Sequence, residues 1–61
     1  MRKYKITLMS EDGTLSHSYV ECGMSIIAQY MACGWLESCK SAMWVMVEDD
    51  NGKMLVIYYQ R

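Results

Sequence analysis

Hydrophobic and polar residues alternate cleanly at the start of the chain and stop alternating toward its end. Over Lys3 to Met9, Tyr4, Ile6 and Leu8 alternate with Lys3, Lys5 and Thr7. Successive strand side chains point to opposite faces, so this stretch predicts a strand with one wet face, and its lysines suit a position near a sheet edge. Ser10-Glu11-Asp12-Gly13-Thr14 follows, and its Asp-Gly pair predicts a hairpin loop. Leu15 to Glu21 is then a second strand, with Leu15, His17 and Tyr19 on one face and Ser16, Ser18 and Val20 on the other.

The period changes after Glu21. Ser18-Tyr19-Val20-Glu21 also fits a capping box, which would start a helix early with Val20, Met24, Ile27 and Met31 as its stripe. That start places Gly23 inside the helix at a cost of about 1 kcal/mol relative to alanine, which favours a strand to Glu21 and a helix beginning near Ser25. The helix is expected over about Met24 to Cys33, capped by Ser25 or the preceding loop and stopped by Gly34 in a left-handed C-terminal cap. Ile26, Ile27, Tyr30, Met31 and Cys33 surround much of its circumference, with Gln29 as the main polar interruption. A helix apolar over so much of its surface is expected to be more buried than an ordinary amphipathic one. Trp35 to Lys40 reads as a connection.

The organising stretch is the hairpin that follows. Its first arm is Ser41-Ala-Met-Trp-Val-Met-Val-Glu48, its turn Asp49-Asp50-Asn51-Gly52, and its second arm Lys53-Met-Leu-Val-Ile-Tyr-Tyr-Gln60. Asn-Gly between β-prone runs predicts a tight primed turn with positive φ at both central residues. Trp44 and Met46 face one way and Met43, Val45 and Val47 the other; Met54, Val56 and Tyr58 likewise oppose Leu55, Ile57 and Tyr59. Both faces are therefore apolar, unlike a sheet wetted on one side. The expected fold is α+β, β-β-α-β-β, with a four-stranded antiparallel sheet and one helix packed on one face. The other face is expected to be covered by a second copy, with Trp44, Met46, Met54, Val56 and Tyr58 as interface residues. Strand order stays open, because either hairpin can pair with the other through more than one edge.

Composition fits this picture. Sixty-one residues make one domain, 1–61, at a size where the core is thin and oligomerisation often adds stability. The chain is 52% hydrophobic with a formal charge of −1, outside the disordered regime of low hydrophobicity and high charge. The near-neutral charge argues against sequence-independent nucleic-acid binding, which requires an excess of Lys and Arg to displace counterions. No targeting signal and no apolar run of membrane-spanning length is visible, so a soluble, cytoplasmic protein without a membrane partner is expected. The three cysteines, Cys22, Cys33 and Cys39, are an odd number that suits reduced thiols rather than a closed disulfide framework.

Candidate chemistry is sparse. His17, Cys22, Cys33 and Cys39 number enough ligands for a zinc site, but the cysteines are separated by ten and five residues instead of arriving in close pairs. A cysteine nucleophile needs a base beside it, and the single histidine, His17, lies five positions from Cys22 across a strand. Glu48 to Gly52 lacks the glycine and glutamate positions of a calcium loop, and Gly13, Gly23, Gly34 and Gly52 are too isolated to cradle phosphate. No metal, no cofactor and no catalytic residue is expected.

The aromatics carry more. Tyr4, Tyr19, Tyr30, Trp35, Trp44, Tyr58 and Tyr59, together with seven methionines, supply amphipathic and adaptable contact area of the sort enriched at interfaces. The leading expectation is a non-enzymatic homo-oligomeric binding protein that occludes a protein partner. In type it is similar to small phage-encoded accessory or inhibitor proteins, a similarity of size and composition that transfers no functional residue. The alternative is sequestration of a small nucleotide-like ligand at an intersubunit pocket, with His17 and Tyr19 as ligand-binding candidates. A cysteine-dependent enzyme comes third.

Overall fold

The structure is a computed structural model that describes residues 1–60. Its elements are β1 (Arg2–Ser10), β2 (Gly13–Cys22), α1 (Ser25–Ser38), β3 (Trp44–Glu48) and β4 (Met54–Tyr59). They form one antiparallel four-stranded sheet in the order β2-β1-β3-β4, with α1 packed on one face. This is the α+β architecture expected from the hydrophobic pattern. The order places β1 at the centre between β2 and β3, not near an edge. Its Tyr4, Ile6 and Leu8 are buried in the core, and its apolar face needs neighbours on both sides more than its lysines need an edge.

The helix carries a second correction. It does not stop at Gly34 but continues through Trp35 and Leu36 to Ser38, so the expected connection from Trp35 is its last turn. Gly34 has no positive φ and acts as an ordinary helical residue. Ala28, Ala32 and Leu36 recur every four residues and form the buried face. Small residues at the first two positions let the helix axis approach the sheet, and Leu36 fills the space beside Val45 and Val47. The large apolar residues expected to bury the helix stand outside: Ile26 and Ile27 are each 44% exposed and Tyr30 is 73% exposed. The N-cap residue is Met24, which offers no side-chain cap, so Ser25 begins the helix without capping it. At the other end the Gln60 side-chain amide donates to the Leu36 carbonyl at 2.8 Å, satisfying a helix-terminal acceptor from the residue that follows β4.

The core lies between α1 and one sheet face. Tyr4, Ile6, Leu8, Val45 and Val47 are buried there, with Cys22, Ala28, Ala32, Leu36 and Ala42. Val20, Val56 and Tyr58 pack against them. The turn of the second hairpin also differs from the primed form. Only Gly52 has positive φ, at 80°, and Asn51 does not. The Gly52 N–H donates to the Asp49 carbonyl at 3.1 Å and the Asp49 N–H to the Lys53 carbonyl at 3.0 Å. This is a three-residue loop with glycine in the left-handed position, the other common hairpin solution. Asp49 stabilises it, because its Oδ1 accepts the Asn51 and Lys53 N–H groups, both at 2.9 Å. A bulge between Val47 and Glu48 then sets the phase of β4.

Candidate functional site

The face turned away from α1 is the candidate site, and the strand registers build it row by row. Met9 of β1 lies opposite Trp44 of β3, and Trp44 opposite Tyr59 of β4. In the next row His17 pairs with Thr7, Thr7 with Met46, and Met46 with Ile57. In the third, Tyr19 pairs with Lys5, Lys5 with Glu48, and Glu48 with Met54. The first two rows form an apolar patch of Met9, Trp44, Met46, Ile57 and Tyr59, and the third is a polar and charged rim.

Packing within the patch is specific. The Trp44 and Tyr59 rings are tilted by 36° with centroids 6.5 Å apart, within the range of favourable aromatic pairs. Thr7 lies at the centre and is only 2% exposed, although among the described residues its face has no covering element. Its neighbours bury it, and its Oγ1 lies 3.2 Å from His17 Nδ1, so its hydroxyl has a partner where burial without one would be costly. Thr14 Oγ1 approaches Met9 Sδ at 3.3 Å at the far edge of the first row. On the rim, Lys3 Nζ stands 5.7 Å from the Tyr19 ring centroid, a cation–π distance.

The structure divides the residues expected to form the interface. Trp44 and Met46 lie together in the apolar patch, half-buried. Met54 is exposed on the rim opposite Glu48. Val56 and Tyr58 instead face the helix, where they pack against the core. The expected grouping of Met54, Val56 and Tyr58 with Trp44 is therefore corrected: Ile57 and Tyr59 stand beside Trp44 and Met46. The register was the missing information, since both phases of β4 are apolar. Met9 and Thr7 were also missed as patch residues; the signal for them was their phase within β1, opposite to Tyr4, Ile6 and Leu8.

Of the candidate ligand residues, His17 and Tyr19 share the open face in neighbouring rows. Tyr19 lines a surface groove of about 300 Å³ with Lys3, Lys5, Glu48, Asp49, Asp50 and Gly52; His17 does not line it. Three carboxylates against two lysines make this groove unfavourable for a phosphate-bearing ligand. His17 bonds to Thr7, while Cys22 is buried on the helix side and donates its thiol to the Met24 carbonyl at 3.3 Å, so the two do not form a nucleophile–base pair. Cys22, Cys33 and Cys39 are free thiols. Among the described residues, no three His, Cys, Asp or Glu side chains converge as a metal site requires. Among the described residues, no helix is long and apolar enough to cross a membrane.

On the helix side, Tyr58 bridges sheet and helix by donating its hydroxyl to Gln29 Oε1 at 3.4 Å. Burial raises its phenol pKa above the ordinary value near 10, and the neighbouring Cys33 and Tyr30 raise it further. Around the outside of α1, Ile26, Ile27, Tyr30 and Met31 form a second exposed apolar surface. The fold and site define a small α+β domain with apolar surface on both sides. The chain matches no known protein family, no curated protein and no solved structure.

Proposed function

We propose that the protein is a non-enzymatic binding protein that works as a homo-oligomer and acts by occluding a protein partner. The observation that carries this reading is the open sheet face, on which Met9, Trp44, Met46, Ile57 and Tyr59 surround Thr7 with no element of the described residues above them. Four strands about 4.8 Å apart and five residues deep at about 3.3 Å each give a face of roughly 300 Å² in projection. Its apolar part covers the first two rows on β1, β3 and β4 and is rimmed by polar and charged residues, the arrangement that marks interaction surfaces. A second copy is a suitable cover because the rim holds both signs of charge, Lys3 and Lys5 near Glu48, Asp49 and Asp50. A two-fold pair can then oppose unlike charges around a shared apolar centre.

With two sheets face to face, the helices lie outermost. The segment from Ser25 to Leu36 contains no charged residue and exposes Ile26, Ile27, Tyr30 and Met31. This outer surface is where a protein partner is bound and its own contacts blocked. The test is Trp44→Asp, which places a charge within the proposed contact. The variant should keep its far-UV circular dichroism and sediment at half the mass of the wild type. Unchanged mass in a folded Trp44→Asp chain would place this face outside the contact.

A further inference from the structure

Among the described residues, the sheet ends at β2 and at β4, and no strand pairs with the outer edge of β4. The Gln60 N–H donates to the Met43 carbonyl at 2.8 Å, which sets the alternation along the strand. Stepping back by two, Tyr58 opposite Val45 and Val56 opposite Val47 direct their N–H and C=O groups at β3. Ile57 and Tyr59 therefore direct theirs outward, at the edge of the sheet. Natural edge strands are blunted by charge, proline or bulges. The edge at β2 follows that rule, since it carries His17 and Glu21 and is broken by a bulge around Leu15. The edge at β4 does not: Met-Leu-Val-Ile-Tyr-Tyr has no charge and no proline, and its bulge at Leu55 leaves the stretch from Val56 regular.

We propose that β4 is a self-pairing edge, which joins antiparallel to β4 of a second copy in a register centred on Tyr58. In that register Ile57 of each copy faces Tyr59 of the other, and the four outward N–H and four outward C=O groups close four hydrogen bonds. No like charges meet, because the strand has none. Side chains agree with the same register. Tyr58 pairs with its own symmetry mate on the helix side, and Tyr59 lies beside Ile57 of the second copy on the open face, as aromatic and aromatic–β-branched cross-strand pairs. The two-fold axis of this pairing runs normal to the sheet, so both open faces stay on one side and merge into one apolar surface across eight strands.

This inference goes beyond the face-to-face contact and rests on the proposed homo-oligomer only for its final size. A face-to-face pair has its two-fold axis in the plane between the sheets. If that axis meets the edge axis at a point, the two close an assembly of four subunits with D2 symmetry, two eight-stranded sheets inside and four helices outside.

The experiment uses the full chain made by chemical synthesis, once as it stands and once with an N-methyl group on the Ile57 amide nitrogen. The methyl removes one outward donor and blocks the edge, while leaving the Ile57 side chain on the open face. The expected result is an assembly of half the wild-type mass. Amide hydrogen exchange on the unmodified chain gives a second reading that requires no substitution. The Ile57 and Tyr59 amides should exchange at least about 100-fold more slowly than in an unstructured peptide, as paired strand amides do. The inference is overturned if those two amides exchange within about tenfold of the unstructured rate while Val56, Tyr58 and Gln60 stay protected. It is equally overturned if the folded N-methyl chain keeps the wild-type mass. Failure of the face-to-face reading has a different signature: Trp44→Asp at wild-type mass, with the edge amides still protected.

Discussion

Leu36 decides whether the last turn of the helix is part of the fold. Its side chain is 4% exposed and packs with Val45 and Val47, whereas Ile27, about two and a half turns earlier and so on the outer surface, is 44% exposed. Leu36→Ala removes the equivalent of three buried methylenes, about 2.4 kcal/mol at roughly 0.8 kcal/mol each, and leaves a cavity that brings the loss to about 2–5 kcal/mol. A chain of this size is stable by only about 3–9 kcal/mol, so the variant should be close to unfolding. Ile27→Ala removes a similar volume from a half-exposed position and should cost less than about 1 kcal/mol in fold stability. Urea denaturation followed by far-UV circular dichroism, at one protein concentration for all variants, reads both. Equal losses at the two positions would refute the helix orientation. A Leu36→Ala loss below about 1 kcal/mol would show that the helix stops at Gly34 and leaves its last turn undocked.

Other consequences separate readings just as directly. Gly34 lies inside the helix at ordinary φ, and a Cβ added there meets no atom within 4 Å, so Gly34→Ala should stabilise the protein by about 1 kcal/mol in the same urea assay. A left-handed cap at Gly34 would make that substitution destabilising instead. Tyr58 sets an alkaline limit: its folded pKa is raised above the unfolded value near 10, so the protonated phenol's contribution is fully present below that value and is lost as pH rises through the folded pKa. Melting temperature should fall above pH 10 with a Tyr58-dependent component, and Tyr58→Phe should reduce the fall. An identical alkaline profile in Tyr58→Phe would assign the loss to other groups.

The fold was readable where local chemistry determines it. Alternation in β1, the Asp-Gly pair before β2, the glycine before the helix and the Asn-Gly turn each act over a few residues, and together they specify two hairpins around one helix. What stayed hidden depends on distant partners. Gly34 resembles a stop because a glycine after an apolar helical run often is one; the docking of Leu36 overrides that tendency and carries the helix past it. Lysines at Lys3 and Lys5 suit an edge, yet Ile6 and Leu8 pair with Val47 and Val45 and draw β1 to the centre. In β4 both phases are apolar, so the pattern could show that the strand has two sticky sides but not which one meets the helix. The bulge before Glu48 resolves that choice, turning Val56 and Tyr58 inward and Ile57 and Tyr59 outward. The open face itself was legible as an unmatched apolar surface, while its membership, with Met9 and the buried Thr7, required the register.

Native mass spectrometry of the protein purified from its expressing cells tests the central claim most directly, because it counts subunits and retains bound small molecules together. The account predicts an even number of 7.1 kDa subunits with no added mass. Added mass of a few hundred daltons per site would favour ligand sequestration over occlusion of a protein. A folded monomer at micromolar concentration would contradict the account, since Trp44, Met46, Ile57 and Tyr59 would then remain uncovered in solution.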